Sequence, residues 1–326
     1  MKKLISFLAP VDFVSIVFML FLIGLNLIFF GRVSAWLEII VIDLVVIAVI
    51  FLLAYLAETK KTKLLIGLHR FYSYLFVFFV FKEIYLMVRP IHPVDYDWLF
   101  ISIDHWLFGV NPTQWAAQFA NPILTEIFQI AYFSYYILFL MLGIELYCRY
   151  TVDEFDHGAF LVVYGFYLSY LGYFLLPAVG PRFTLHNFYA LGQELPGLFF
   201  TTPMRNFINA GESISSTLPN VIQFVQRDVF PSGHTQLALI VVYLGHQYRL
   251  KTRWIMTVLA GLLIVGTIYL RYHYVVDLIG GVIFFFFTIW SGKKIQTWWE
   301  SKIVGKSKRE MRTVQFPHLA THIKMR

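Results

Sequence analysis

Charged residues and cysteines are scarce in this sequence. Asp, Glu, Lys and Arg make up 14% of the 326 residues, hydrophobic residues make up 59%, and the mean hydropathy is +0.68. A soluble domain is about 25% charged and about 45–50% apolar. So little charge cannot cover a water-facing surface, so the composition excludes a soluble globular protein and a disordered chain and indicates an integral membrane protein. The lone Cys148 excludes an intrachain disulfide and a cysteine-based zinc site.

Long apolar runs predict an all-α fold, a polytopic membrane helix bundle of about eight transmembrane helices. Each such helix needs about 20 mostly apolar residues. The run after Met1-Lys2-Lys3 lacks a small-residue cleavage site, so we predict an uncleaved first helix rather than a signal peptide. The predicted spans are residues 12–30, 36–56, 66–88, 122–146, 158–177, 232–247, 253–270 and 273–291.

The distribution of Lys and Arg predicts the orientation. With the N-terminus in the cytoplasm, nineteen of the 26 basic residues fall on the cytoplasmic side and seven on the other. The positive-inside rule therefore places both termini in the cytoplasm. Topology and anionic lipid headgroups explain the basic tail, so it needs no nucleic-acid partner. The absence of disulfides and of long termini favours a bacterial inner membrane.

The remaining segments indicate a three-part organisation. Residues 89–121 mix aromatic and acidic residues, which is typical of short helices in the interface plane. Residues 177–231 are richer in Gly, Pro, Asn and Ser and predict an ordered outer cap or loop. We expect two accessory transmembrane helices in residues 1–65, a membrane core in 66–292 and a basic cytoplasmic tail in 293–326.

Polar residues gather at the outer ends of the predicted helices. Charges at membrane depth are costly and usually functional. The orientation rests on charge counts alone, so the position of six polar groups at one depth on one face independently indicates a functional site. These groups are Lys82, Arg89, Arg182, Arg271, His234 and His273.

The segment Pro231-Ser232-Gly233-His234-Thr235 opens the sixth predicted span. Ser232 is a natural N-cap, and Gly233 lets a ligand approach the backbone. Free N–H groups and the helix dipole favour an anion such as phosphate there. His234 could then donate a proton to a leaving oxygen. The alternative is an ordinary helix start with an interfacial histidine.

The eighth predicted span begins His273-Tyr274-Val275-Val276-Asp277. Residues at i and i+4 share one face of a helix. The Asp277 carboxylate can hold one ring nitrogen of His273 and leave the other free to attack a substrate. The alternatives are a buried pair that only packs, or two metal ligands, although no further ligands are evident in the sequence.

Lys82 and Arg89 lie two helical turns apart and, with Pro90, spell Lys-x6-Arg-Pro. Both cations suit phosphate oxygens. Snorkelling of the side chain towards the membrane interface is the alternative, and it explains Arg89 better than the deeper Lys82.

Pro-Ser-Gly-His, followed some forty residues later by His-Tyr-x-x-Asp, resembles the type 2 phosphatidic acid phosphatase superfamily. Within it, residues 270–281 are most similar to the branch containing fungal inositol phosphorylceramide synthase, and sphingomyelin synthases are similar at both motifs. The resemblance covers about residues 95–291. It implies a lipid phosphatase or phosphotransferase that acts on a phosphorylated lipid or phospholipid at the extracytoplasmic face, with water or an alcohol as acceptor.

The resemblance also implies a role for each residue. His273 would be the nucleophile and form a phosphohistidine, Asp277 would orient it, and His234 would protonate the leaving group. Ser232 and the Gly233 amide would hold the phosphoryl oxygens with nearby cations, so that neither a metal nor another cofactor is needed. The candidate cations are Arg182, Arg271, Lys82 and Arg89.

The sequence departs from the family pattern at two places. The family's Ser-Arg pair before the catalytic histidine is replaced by Gly266 and Thr267, so Arg271 would have to substitute, and this favours the transferase-like branch. The family's first signature matches Lys82 to Pro90, but two spans too early. Arg182, after the helix that precedes Pro-Ser-Gly-His, is therefore the preferred phosphate contact.

Two functions from other classes stay open at this point. A glycosyltransferase that uses a lipid-linked sugar would have Asp95-Tyr96-Asp97 as its acidic motif. A transporter would line its path with Lys82, Glu83 and Asp43, although Asp43 by itself is expected to be a hydrogen-bonded packing residue. The sequence does not decide between phosphoryl transfer and hydrolysis.

Overall fold

The computed structural model describes residues 7–215 and 217–302. These residues form fourteen α-helices and no β-strand, which confirms the predicted all-α fold. Three short 3-10 helices, at residues 117–119, 188–190 and 221–223, lie in the outer segments. The helices are α1 (Pro10–Ile28), α2 (Trp36–Lys60), α3 (Lys63–Ile91), α4 (Asp97–Phe108), α5 (Pro112–Ala116), α6 (Pro122–Phe133), α7 (Tyr135–Arg149), α8 (Val152–Leu175), α9 (Pro181–Thr184), α10 (Leu191–Glu194), α11 (Thr201–Gly211), α12 (Gly233–Gln247), α13 (Arg253–Tyr269) and α14 (Val275–Lys302).

Every predicted span contains a helix, but not every one of these helices is long enough to cross a membrane. Within the described residues, α1, α2, α3, α8 and α14 are long and apolar enough to cross a membrane. The fourth predicted span is a pair of helices, α6 and α7, bent by 45° at their junction, and the pair counts as a sixth crossing if it is one span. With 15 and 17 residues, α12 and α13 are shorter than the about 20 residues of a full span.

Local sequence explains where several helices begin and end. Asn121 caps α6 by accepting a hydrogen bond from the Leu124 N–H at 2.9 Å, and Pro122 occupies the first helical position. Ser232 caps α12 in the same way. Gly109 ends α4 in the left-handed region, at φ +71°, where glycine carries no steric penalty.

The described residues of 1–91, 140–168 and 286–326 form a first compact unit. Asp12 accepts hydrogen bonds from the Tyr72 hydroxyl at 2.7 Å and contacts His69 Nε2 at 2.9 Å. Arg70 forms an ion pair with Asp156. Buried polar groups in spanning helices need such partners because lipid offers none.

Asp43 and Glu83 belong to the same unit and are both buried. Their side chains interact with each other. The apolar core of this unit includes Leu8, Ile50, Ala54 and Trp299. Residues 303–326 of the predicted basic tail lie outside the described residues, and its first ten residues, 293–302, are the end of α14.

Residues His92–Phe139 and Ser169–Phe285 form the second unit. It contains α4, α5 and α6, the outer loop with α9, α10 and α11, and the helix starts that carry both histidine motifs. One apolar cluster packs α6 against this loop and the end of α13, and it consists of Phe128, Tyr132, Leu191, Leu195, Ile208, Tyr269, Leu270 and Tyr272.

Candidate active site

The starts of α12 and α14 are joined directly. The backbone N–H of Ser232 donates to the carbonyl of Asp277 at 3.0 Å. His273 Nε2 lies 3.3 Å from His234 Nδ1. A Cβ on Gly281 would lie 2.7 Å from the Ser232 carbonyl, so only glycine permits this approach of the two helices. The two motifs, some forty residues apart in sequence, therefore form one site.

The carboxylate of the residue four positions later, Asp277, lies beside the ring of His273. The ring Nδ1 lies 3.4 Å from Oδ2 of Asp277, which is fully buried. The same Oδ2 accepts a hydrogen bond from the Tyr274 N–H at 2.8 Å, which fixes the carboxylate. Asp277 therefore faces one ring nitrogen of His273, and Nε2 on the opposite side faces His234.

Burial determines the charge of His273, which lies in the turn before α14. Only 4% of the residue is exposed. Burial lowers the pKa of the imidazole to about 3, and the positive charge of Arg182 acts in the same direction, against a backbone hydrogen bond at Val229. The ring is therefore neutral at pH 7, which is the form that can act as a nucleophile.

Aromatic side chains orient His234. Its ring lies 4.5 Å from the ring of Tyr132 and 4.3 Å from that of Tyr135, measured between centroids. Tyr132 in turn stacks on Tyr272 at 4.2 Å, next to the nucleophile in sequence. These contacts leave His234 half-buried and its Nδ1 directed at His273.

The start of α12 offers backbone donors to an anion. The Ser232 hydroxyl accepts hydrogen bonds from the Thr235 N–H at 3.2 Å and the Thr235 hydroxyl at 3.1 Å. Within the described part of the chain, the N–H groups of Gly233 and His234 donate to no protein acceptor. Unpaired N–H groups at the positive end of a helix dipole favour phosphate. A Cβ on Gly233 would lie 2.8 Å from the Tyr173 hydroxyl, so a larger residue here would require the Tyr173 side chain to shift.

Arg182 is buried beside the two histidines. Its guanidinium carbon lies 4.7 Å from the ring centroids of both Phe183 and Tyr272. It forms an ion pair with Glu212. Burial acts to lower the pKa of Arg182, but Glu212 and other groups outweigh this effect and the net pKa is raised, so the side chain stays charged. Since that charge lowers the pKa of His273, Arg182 is within electrostatic range of this histidine.

Arg271 lines an open cleft. It has a left-handed φ of +69°, is buried, and forms an ion pair with Glu194. Its neighbours in sequence, Tyr272 and His273, both donate their backbone N–H groups to the Thr267 carbonyl, at 2.8 Å and 3.3 Å. Thr267, which stands where the family has arginine, thus holds the backbone of Tyr272 and His273.

Lys82 and Arg89 lie on α3 in the first unit, whereas the other seven predicted site residues lie in the second. Their role in phosphate binding stays a prediction.

Two aspartates of α4, which the two histidine motifs do not include, support the site from outside. Asp97 accepts hydrogen bonds from the Val179 N–H at 3.0 Å, the Gly180 N–H at 2.8 Å and the Tyr274 hydroxyl at 2.8 Å. It therefore connects the loop that carries Arg182 to the turn that carries His273. Burial raises the pKa of Asp97, and its hydrogen bonds act in the opposite direction.

Asp104 lies two helical turns after Asp97 and caps the start of α14. It accepts hydrogen bonds from the N–H groups of Val275 at 2.8 Å and Val276 at 2.9 Å. Burial raises its pKa, while these two bonds act to lower it. The signal available in the sequence was the seven-residue spacing of two acids on one face of an otherwise apolar, aromatic helix.

Glu126 of α6 has a similar role in the outer loop. Its carboxylate accepts hydrogen bonds from the backbone N–H groups of residues 198–201 and from the Thr201 hydroxyl, and so caps α11. The α11 helix carries Asn209, whose side-chain oxygen accepts a hydrogen bond from Arg182 at 3.3 Å.

The two acids of the motif expected for a glycosyltransferase accept hydrogen bonds from other residues of the chain. Asp95 accepts hydrogen bonds from Arg227 at 3.1 Å and 3.3 Å, and Asp97 holds the contacts described above. Among the described residues, no group of three or more His, Cys, Asp or Glu side chains could hold a metal ion.

A family model described as the PAP2 superfamily matches residues 98–291. The matched segment contains both histidine motifs and Arg182, and it excludes Lys82 and Arg89. The match does not distinguish the inositol phosphorylceramide synthase branch from the rest of the family. No curated protein and no solved structure matches the chain.

Proposed function

The chain belongs to the PAP2 superfamily, and from this premise we propose that it is a membrane lipid phosphatase or phosphotransferase that works through a phosphohistidine. Membership implies a phosphatase-type enzyme, and the apolar helices suggest a membrane protein. The observation that carries the proposal is the contact of His273 Nε2 with His234, with Asp277 behind the nucleophile.

In the first step, neutral His273 attacks the phosphorus through Nε2. A nitrogen–phosphorus bond forms and the phosphorus–oxygen bond to the leaving group breaks, while His234 in its protonated form gives its proton to the leaving oxygen. The negative charge of the bound phosphate favours that protonated form. Asp277 keeps the Nδ1 side of His273 in place and stabilises the positive charge that develops on the imidazole. In the second step, water or an alcohol attacks the phosphorus, the nitrogen–phosphorus bond breaks, and His234 takes the proton back.

Charge on the phosphoryl oxygens is stabilised by groups already in position. The N–H groups of Gly233 and His234 point out of the start of α12, and the buried, charged Arg182 lies nearby. Preorganised donors in a site with little water contribute strongly to catalysis. This set of donors supports a reaction that needs no metal.

Substrate binding has to change the contact between the two histidines. In-line displacement places the attacking and leaving atoms on opposite sides of the phosphorus. A separation of 3.3 Å between His273 Nε2 and His234 Nδ1 leaves no room for a phosphoryl group between them. The rings therefore move apart as the substrate enters, and His234 is the more exposed of the two.

The proposed site faces the extracytoplasmic side of the membrane. The charge distribution of the sequence supports this orientation, since the segments that contain both helix starts carry few basic residues. A phosphorylated lipid or a phospholipid in that leaflet is the proposed substrate class.

The test is turnover by purified protein in detergent with EDTA, on a panel of lipid phosphates and phospholipids. We expect His273→Ala to lower turnover by at least about 100-fold, since the covalent route is lost. An acid-labile phosphoenzyme should form in the wild type and not in this variant. His105→Ala, at an exposed position of α4, is the matched control and should keep wild-type turnover. Retained turnover in folded His273→Ala protein contradicts the proposal.

A further inference from the structure

An open cleft of about 470 Å³ lies beside Arg271, within the second unit. Five residues from separate parts of the outer segments line it, and its volume suits a small polar group. They are Gln114 of α5, Ala117 of the following 3-10 helix, His186, Glu194 of α10 and Arg271.

The lining of this cleft has no net charge at neutral pH. Arg271 and Glu194 form an ion pair. Burial and the positive charge of Arg271 lower the pKa of His186 to about 4, so its imidazole is neutral at pH 7. A phosphate group in the cleft would be repelled by the Glu194 carboxylate, and a quaternary ammonium would be repelled by the Arg271 guanidinium. The electrostatics therefore favour an uncharged ligand.

The lining has hydrogen-bonding capacity of both kinds. The exposed Gln114 amide donates to the Leu185 carbonyl at 3.3 Å, and its oxygen accepts a hydrogen bond from Asn111 at 2.8 Å, which leaves the amide nitrogen a second N–H to donate. The side chain of Glu194 is 41% exposed and can accept. Hydroxyl groups, which both donate and accept, match such a lining.

The cleft and the nucleophile flank the same turn. Arg271 precedes His273 by two residues. The Thr267 carbonyl accepts hydrogen bonds from the N–H groups of Tyr272 and His273, so it fixes the backbone that joins Arg271 to the start of α14. We propose that this cleft binds the uncharged hydroxyl-bearing group of the reaction, either the headgroup of the lipid substrate or a free alcohol acceptor. The inference rests on the proposed function, since it assigns a partner to that site.

The test for the headgroup compares two lipids with identical chains, one a phosphate monoester and the other a phosphodiester of glycerol. Gln114→Ala should lower the diester-to-monoester ratio of kcat/KM by about 3- to 10-fold, which corresponds to one hydrogen bond of about 0.5–1.5 kcal/mol. Ala117→Phe, which fills the cleft, should lower the ratio further. Gln118→Ala is the matched control, because Gln118 is exposed on the same 3-10 helix and does not line the cleft.

The test for the acceptor adds glycerol to the monoester reaction and follows the partition between free phosphate and glycerol phosphate. A higher half-saturating glycerol concentration in Gln114→Ala identifies a free alcohol as the occupant, and a changed lipid ratio identifies the headgroup. Either result supports the cleft as the binding site. If the diester-to-monoester ratio and the half-saturating glycerol concentration are both unchanged in Gln114→Ala and in Ala117→Phe, the inference is overturned. It is also overturned if the wild type has the same kcat/KM for a choline diester as for the glycerol diester.

A separate readout keeps this inference distinct from the proposed function. Calorimetric binding of sorbitol to His273→Ala protein needs no turnover. Binding that is weakened by Ala117→Phe in that background supports the cleft even if the phosphohistidine proposal fails. The absence of any sorbitol binding in an enzyme that shows His273-dependent turnover overturns the cleft alone.

Discussion

The charge state of one imidazole decides the chemistry at residue 273. An exposed histidine has a pKa of about 6.5 and is mostly protonated at pH 5. Burial lowers the pKa of His273 to about 3. The ring thus keeps its lone pair over the whole range in which ordinary histidines lose theirs.

We expect the reactivity of His273 towards diethyl pyrocarbonate to stay constant from pH 7 to pH 5, because the reagent modifies neutral imidazole. The measurement is the rate of modification of the peptide that contains His273, by mass spectrometry, with N-acetylhistidine as the reference. The reference rate should fall over the same range. A parallel fall at His273 would contradict the lowered pKa.

The same shift predicts a loss of stability in acid. Between pH 6.5 and 3 the unfolded chain binds a proton at this position and the folded chain does not, so the free energy of unfolding falls as the pH is lowered through this window.

The glycine at position 233 gives a second prediction at this scale. Gly233→Ala should lower kcat by about 10- to 100-fold, because the new Cβ would lie 2.8 Å from the Tyr173 hydroxyl and a shift of about 1 Å in a site can cost about 100-fold. Tyr173→Phe in the same chain removes the clashing oxygen and should restore part of the activity. Gly261→Ala on α13, where the Cβ meets nothing within 4 Å, is the control.

Among single residues, those with local signals were predictable. Ser232 is the N-cap of α12, as its position before Gly233 and His234 predicted. The partner of Arg182 was not predictable, because Glu212 lies thirty residues later in a loop without periodic pattern. The order of residues does not specify which acid forms an ion pair with which arginine.

The start of the catalytic helix shows how elements depend on one another. We predicted a span from residue 273, but α14 begins at Val275. His273 and Tyr274 form a turn instead, because Arg271 adopts a left-handed φ and Asp104 caps the N–H groups of Val275 and Val276. Asp104 is about 170 residues away in sequence, so no local pattern revealed this cap.

Asp104→Ala should lower the free energy of unfolding by about 0.5–2 kcal/mol, the usual cost of losing a cap, and should lower kcat more than it raises KM. The reason is that the start of α14 positions the nucleophile and does not hold the lipid. Thermal unfolding and steady-state kinetics measure the two effects. Asp104→Asn keeps one accepting oxygen and should recover part of both. An unchanged kcat in Asp104→Ala would show that the cap does not position His273.

The bend between α6 and α7 is a second difference between prediction and structure at this scale. Residues 122–146 read as one apolar run, yet the helix breaks at Ser134 with an angle of 45°. The Ser134 hydroxyl donates to the Ala131 carbonyl at 2.6 Å, a local bond of the kind that competes with helix continuity. Hydropathy averages over such a break and does not detect it.

At the scale of the whole molecule, composition was sufficient to predict a polytopic helical membrane protein, and the all-α fold is confirmed. The division of the chain was not evident from composition. Residues 140–168 belong to a compact unit with the N-terminal helices, although they lie inside the predicted core in sequence. Apolar runs identify helices but carry no information on which of them pack together.

The single cysteine gives a direct test of the predicted orientation. Cys148 is exposed, near the end of α7, on the side predicted to be cytoplasmic. A membrane-impermeant maleimide should label it in permeabilised cells and leave it unlabelled in intact cells. In a Cys148→Ser background, Gln118→Cys should be labelled in intact cells as well as in permeabilised cells. Labelling of Cys148 in intact cells would reverse the topology and move the proposed site to the cytoplasmic face.

The carboxylates of Asp97 and Glu126 bind the backbone N–H groups of the outer loops. They accept hydrogen bonds from the N–H groups of Val179, Gly180 and residues 198–201, so they constrain the course of the backbone and leave side-chain identity at positions such as Leu198 and Phe199 free. These positions can change during evolution or by design without loss of the scaffold, provided that no proline removes an N–H. Loops exchanged between relatives should therefore graft onto this frame without a change in the backbone that carries the two histidine motifs.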